Sequence, residues 1–166
     1  LNRNELEVFD GLDSLVDKSL VRQADQEARE PRLLMLETIR EYAAELLEAD
    51  PEFSAAVRRS HATYFADFAA GQWERLTSPE QAATLDEMEA EQENVQTAWR
   101  YWVADGNLEQ PQKIIDSLWR LYDVRGWYHA MVELTEDLLN VLAANPSTPE
   151  RAQQEIMLQI SLARAL

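Results

Sequence analysis

Cysteine is absent from the chain, so disulfides, thiolate zinc sites and thiol nucleophiles are excluded. Basic residues are scarce: 15 Lys and Arg stand against 31 Asp and Glu, a formal charge of −16. Such a surface repels phosphate and gains nothing from counterion release, which argues against broad nucleic-acid binding. No apolar stretch approaches the length of a membrane span, and no signal peptide is visible. A soluble cytoplasmic protein without membrane contact is therefore expected. Only four Gly and six Pro are present, and they punctuate the chain. What is plentiful is apolar side chain: at 46% hydrophobic residues, the 166-residue chain is no disordered acidic tail and can bury a core without staples. Its ends, Leu1 and the apolar pattern around Ala165 and Leu166, read as those of a fragment of a longer polypeptide.

Gly11 precedes a short helical stretch, Leu12 to Lys18, with Leu12, Leu15 and Val16 on one face. Leu20–Gln23 and Arg32–Leu36 are short, apolar and strand-compatible, and the charged gap Ala24–Pro31 makes them a β-hairpin at about 20–36. Alternation assigns Leu33 and Met35 to a buried face and leaves Leu34 half exposed. From Glu37 on, every segment reads as helix. Ile39, Tyr42, Ala43, Leu46 and Leu47 form one stripe, broken by Asp50-Pro51. A second helix is expected from about Glu52 to Leu76. Its face is Val57, His61, Tyr64, Phe65 and Phe68, with Ala62, Ala66 and Ala69 beside it.

Ser78-Pro79-Glu80 opens a third helix, with Ser78 as N-cap. It is expected to continue to about Val103, with Leu85, Met88, Gln92, Val95, Trp99 and Trp102 as its seam. Gly106 supplies a left-handed cap after it, and Gly126 closes the next helix, striped by Ile114, Ile115, Leu118, Leu121 and Tyr122. Trp127 leads into a helix faced by Met131, Leu134, Thr135, Leu138, Val141 and Leu142. Asn145–Glu150 is a stop and a new start, with Thr148 as cap and Pro149 in the first turn. The last helix carries Ile156, Ile160 and Ala163 on one face and Leu158 and Leu162 on another. The fold class is therefore mainly α: a winged-helix-like unit with one hairpin over 1–50, then an antiparallel helical-hairpin array over 51–166, truncated at its C-terminus. Gln112 to Pro146 has about the ~34-residue length of a tetratricopeptide repeat, without its internal consensus.

Chemistry-bearing residues are sparse. His61 sits on an apolar stripe and reads as a packed histidine; His129 and Glu133, four apart, are too few for a metal site. Asp86, Glu87, Glu89, Glu91 and Glu93 occupy the polar side of a helix and read as a solvated face. No phosphate loop, nucleophile elbow or His-Glu-x-x-His is present, so no catalytic or metal site is assigned and no enzyme is expected within this chain. Trp73, Trp99, Trp102, Trp119 and Trp127 fall on or beside helical stripes and read as core. One or two at the rim could anchor a partner. A helix followed by a hairpin also builds winged-helix DNA readers. Here Asp13 and Asp17 oppose a single Lys18, and Arg22, Arg29 and Arg32 in the wing are matched by Asp25, Glu27 and Glu30. A DNA-binding winged-helix transcription factor fragment is the alternative, and direct nucleic-acid contact is not expected.

Leu15-Val16-Asp17-Lys18-Ser19-Leu20-Val21, then Met35-Leu36-Glu37-Thr38-Ile39-Arg40-Glu41-Tyr42-Ala43, resemble the strings that flank the wing in bacterial STAND signal-transduction ATPases, including LuxR-type and AfsR-type transcriptional regulators. Leu85 to Trp102, centred on Glu89–Val95, is similar to the segment that opens that family's helical-repeat sensor. Trp119, Arg125 and Gly126 fit its next helix pair. The resemblance implies a regulatory piece without catalysis. Its partners would be an upstream nucleotide-binding module that takes ATP or ADP, downstream repeats of the same chain, and a protein or small-molecule effector. It also makes Met35, Leu36 and Glu37 the nucleotide-sensor position. In relatives a Met-His-Asp motif there touches ADP through its His. Leu36 stands at that place here and cannot hydrogen-bond a phosphate.

Overall fold

The computed structural model describes residues 3–24, 32–143, 155–156 and 158–159, with residues 3–7 described by their backbone alone. The chain is mainly helical, with a two-stranded antiparallel hairpin near its N-terminus followed by a helical array. It divides into two compact units, residues 1–55 and 56–166.

In the first unit, α1 (Arg3–Asp17) contacts β1 (Val21–Ala24), which pairs with β2 (Arg32–Met35) in a hairpin. α1 does not start after Gly11 but passes through it. Nothing lies within 4 Å of where a Gly11 side chain would be, so glycine here is only a weak helix residue, costing about 1 kcal/mol against alanine. The end of α1 is sharply built. Ser19 takes φ 57°, its N–H donates to Val16 O at 2.8 Å, and Leu20 N–H donates to Leu15 O at 3.0 Å. This is the double bond of a Schellman cap with serine in the left-handed position.

The hairpin pairs Val21 with Met35, Arg22 with Leu34, Gln23 with Leu33 and Ala24 with Arg32. Val21 is buried, but Leu33, Leu34 and Met35 are all exposed. The expected burial of Leu33 and Met35 is therefore not found. Cross-strand partners share a face, so both residues stand on the Val21 side, and the cover there reaches Val21 alone. α2 (Glu37–Glu48) has no buried residue: Ile39 and Leu47 are half-covered, Tyr42 and Leu46 exposed. The hairpin residues 25–31 lie outside the described residues.

α3 (Pro51–Gly71) is capped by Asp50, whose Oδ1 accepts the Phe53 N–H at 3.1 Å. The boundary between the units falls within it. The helix expected to reach Leu76 stops at Gly71, and a separate turn, α4 (Trp73–Leu76), follows. Within the second unit the buried face of α3 is Ala62, Ala66 and Ala69 rather than the aromatic stripe; Tyr64 and Val57 are exposed and Phe65 and Phe68 half-buried. Alanines let large neighbours approach the helix backbone. Trp102 uses this access: its Nε1 donates to Ala62 O at 3.1 Å, and the Arg59 guanidinium lies 5.4 Å from its ring.

Ser78 accepts the Glu80 N–H at 3.1 Å just before α5 (Gln81–Ala90), although the helix proper begins after Glu80. The single helix expected as far as Val103 is two: α6 (Gln92–Ala104) follows a joint at Glu91, which has φ −103° and ψ 8°. At the joint the Glu91 carboxylate accepts the Asn94 Nδ2 donor at 2.7 Å, a side-chain pair at the start of α6. Leu85, Met88, Val95, Trp99 and Trp102 are nevertheless all buried, because the joint keeps both halves on one core.

α7 (Glu109–Arg125) packs against α4, α5, α6 and α8 (Tyr128–Ala143), and Ile114, Leu118, Leu121 and Tyr122 fill the centre. Asn107 Oδ1 accepts the N–H groups of Glu109 and Gln110 at its start. Gly106 and Gly126, both at φ 71°, end α6 and α7. Their caps repeat the α1 pattern: Asn107 N–H donates to Trp102 O at 3.0 Å and Trp127 N–H to Tyr122 O at 2.8 Å. Met131, Leu134, Thr135, Leu138 and Leu142 form the buried face of α8. Residues 155–156 and 158–159 are helical, with Leu158 buried and Ile156 exposed. The turn at Asn145–Glu150, with Thr148 and Pro149, and the positions Ile160, Leu162 and Ala163 lie outside the described residues.

Candidate functional site

Three places could carry function: the acidic face of α5 and α6, the isolated histidines, and the surface of the first unit.

The acidic face is engaged by arginines. Arg75 grips Glu87 with two nitrogens, at 2.6 and 2.9 Å, and reaches Glu80 at 3.1 Å and Gln72 Oε1 at 2.9 Å. The Arg75 guanidinium holds the Glu87 carboxyl below the usual carboxylate range, chiefly through these hydrogen bonds. Arg125 binds Asp86, and its Nε lies 2.9 Å from Glu89. A general acid needs its pKa raised; pairing with arginine drives Glu87 the other way. These pairs are largely solvent-exposed, so water and salt screen them and they add little to stability. They tie α4 and α7 to α5.

His61 is half-buried against Phe65, 4.7 Å between ring centroids, with its Nε2 3.4 Å from Asn94 Oδ1. His129 is exposed. No group of three or more His, Asp or Glu suited to a metal ion occurs among the described residues. Trp99 and Trp102 are core; Trp119 and Trp127 pack against it, and Trp73 is exposed. Buried Tyr122 accepts a bond from Gln96 Nε2 at 3.1 Å, and burial pushes its phenol up.

In the first unit, Met35 ends β2, Leu36 precedes α2, and Glu37 is its first residue; all three are exposed. Leu36 contributes only its carbonyl, which accepts the N–H groups of Ile39 and Arg40. Glu37 is held by Arg40, at 3.0 Å from Nε, and its carboxyl lies below its ordinary value as a result.

The signs of charge around the hairpin decide what it can touch. Arg22 and Arg32 share one face of the wing with Leu34. On the helix that leads into the wing, however, Asp10, Asp13 and Asp17 recur at three- and four-residue steps and are all exposed. Like charges repel, so a row of exposed carboxylates on this helix disfavours contact with a phosphate row. Over residues 2–48 there are 6 Lys and Arg against 12 Asp and Glu.

Apolar exposure is the second property of this unit. Val8, Phe9 and Val16 on α1, Leu33 to Leu36 along and after β2, and Tyr42 and Leu46 on α2 are all open. No helix among the described residues is long and apolar enough to cross a membrane.

No curated protein and no solved structure matches the chain. Residues 2–48, the stretch that holds α1, the hairpin and α2, match the model of the winged helix-turn-helix domain family, a match that suggests a DNA-binding or regulatory role.

Proposed function

We propose that this chain is a non-catalytic regulatory and protein-interaction region of a larger bacterial signal-transduction ATPase of the STAND class, one that controls transcription from the cytoplasm. The winged unit relays between an upstream nucleotide-binding module, which holds ATP or ADP, and the helical, tetratricopeptide-like array, which senses a protein or small-molecule effector. The observation that carries this reading is the acidic row Asp10, Asp13 and Asp17 on the helix before the wing, beside uncovered apolar stripes. A surface of that kind suits protein contact better than phosphate. The relay is a bistable interface: the winged unit packs on the nucleotide-binding module in one state and releases in another, and the array biases the balance through differential contacts.

The experiment deletes residues 1–50 from the longer parent protein and measures bound nucleotide and transcriptional output. Altered nucleotide occupancy is expected; unchanged occupancy and output would refute the relay. The family match supports a second reading, a winged-helix transcription factor that touches DNA through Arg22 and Arg32 on the wing. It requires salt-sensitive binding of duplex by the 166-residue chain.

A further inference from the structure

The uncovered stretch from β2 through α2 has a chemistry that names its occupant. Leu33, Leu34, Met35 and Leu36 are exposed, and Tyr42 and Leu46 continue the open apolar surface along α2. α2 has no fully buried residue: within its stripe Ile39 and Leu47 are half-covered, while Tyr42 and Leu46 stand open. Beside Tyr42 and Leu46 runs a ladder of carboxylates at four-residue steps, Glu37, Glu41 and Glu45, all exposed. Only Glu37 is matched by an arginine of the same helix. Like charges four apart destabilise a helix, so α2 carries both exposed apolar residues and a row of acidic side chains along one edge. A second copy of this chain, itself at −16, would cover the stripe but worsen the ladder.

We infer that the apolar stripe of α2 docks a basic amphipathic helix from a partner protein, its apolar side on Tyr42 and Leu46 and its Lys or Arg residues against Glu41 and Glu45. A helical ridge of this spacing accepts another helix, and a basic flank turns the ladder from repulsive to attractive. The inference rests on the reading that this unit acts through protein contact, and it adds the chemistry of the contact.

The test uses the whole 166-residue chain and a labelled Leu/Lys peptide of about 18 residues, five helical turns, with Leu at i, i+3, i+4 and i+7. Fluorescence anisotropy compares it with a scrambled peptide of the same composition and with a Leu/Glu peptide of the same stripe. The Leu/Lys peptide is expected to bind at least tenfold more tightly than both. Leu46→Glu and, separately, the double change Glu41→Lys with Glu45→Lys should each cost at least tenfold, with far-UV circular dichroism unchanged. Equal binding of the scrambled peptide, or indifference to Leu46→Glu and to the charge reversal, would overturn the inference. So would a dimer of the chain that Leu46→Glu dissociates. Failure here leaves the relay untouched, because the deletion experiment on the parent protein does not involve the peptide.

Discussion

Replacing Ala66 by Leu, and separately Tyr64 by Ala, asks which face of α3 the second unit is built on. Ala66 is 0% exposed and Tyr64 66% exposed, two residues apart on the same helix. A leucine at position 66 forces three extra carbon atoms into a packed face that holds Trp102 against Ala62 O. Overpacking of this kind costs about 1–3 kcal/mol. Removing the Tyr64 ring from solvent-exposed surface costs no more than about 0.5 kcal/mol. If the aromatic stripe were the core face instead, Tyr64→Ala would cost about 3–5 kcal/mol. Urea unfolding followed by tryptophan fluorescence separates these cases, because all five tryptophans lie between residues 73 and 127 and report the second unit alone. With a urea slope of about 1.5 kcal/mol per molar, Ala66→Leu should lower the midpoint by about 1 M and Tyr64→Ala by at most about 0.3 M, both at unchanged slope. A midpoint lowered by about 2 M in Tyr64→Ala, with Ala66→Leu neutral, would refute the alanine-face packing.

Ser19→Gly should stabilise the first unit by up to about 1 kcal/mol, since serine there carries a left-handed φ that glycine adopts freely; hydrogen exchange of the α1 amides would show slower opening. Gly11→Ala, with open space at the site and a helical backbone, should add a similar amount by the same assay. Gly126→Ala should destabilise the second unit by about 1 kcal/mol, because φ 71° is strained for alanine even though nothing crowds it, and the urea midpoint would fall. Glu87 is held low by Arg75, so its folded state binds the proton less readily than the unfolded chain. Its contribution is complete above the usual carboxylate range and is lost as the pH falls through the lowered value. Glu87→Gln should therefore flatten the acid limb of a stability–pH curve and leave its alkaline limb unchanged.

The elements whose limits are set by local backbone chemistry were legible in the sequence. Gly106 and Gly126 end helices because glycine takes a left-handed cap without strain, and Asp50-Pro51 marks the break before α3, where the structure adds that Asp50 caps the helix. The hairpin was legible from two short apolar runs around a charged gap, and the match to a winged helix-turn-helix model covers that region. What depends on distant partners was not. α3 is apolar on nearly every side, so periodicity alone could not choose between its aromatic and alanine faces; Trp102, forty residues away, makes the choice. The joint at Glu91 breaks a pattern that continues smoothly in sequence because the buried seam runs through both halves. At the candidate site, the acidic bias of the helix before the wing is legible in Asp13 and Asp17, while Asp10 falls outside the helix that Gly11 makes appear to begin at Leu12. The engagement of Asp86, Glu87 and Glu89 by Arg75 and Arg125 joins residues 12 to 39 positions apart, which no local pattern encodes.

Anisotropy titration of a labelled 20-base-pair duplex (roughly two helical turns) with the 166-residue chain tests the central claim most directly, run at roughly 50 and 150 mM salt. If the first unit is built for protein contact, no saturable binding tighter than roughly 100 μM is expected at either salt. Nanomolar, sequence-selective binding abolished by Arg22→Ala would contradict it.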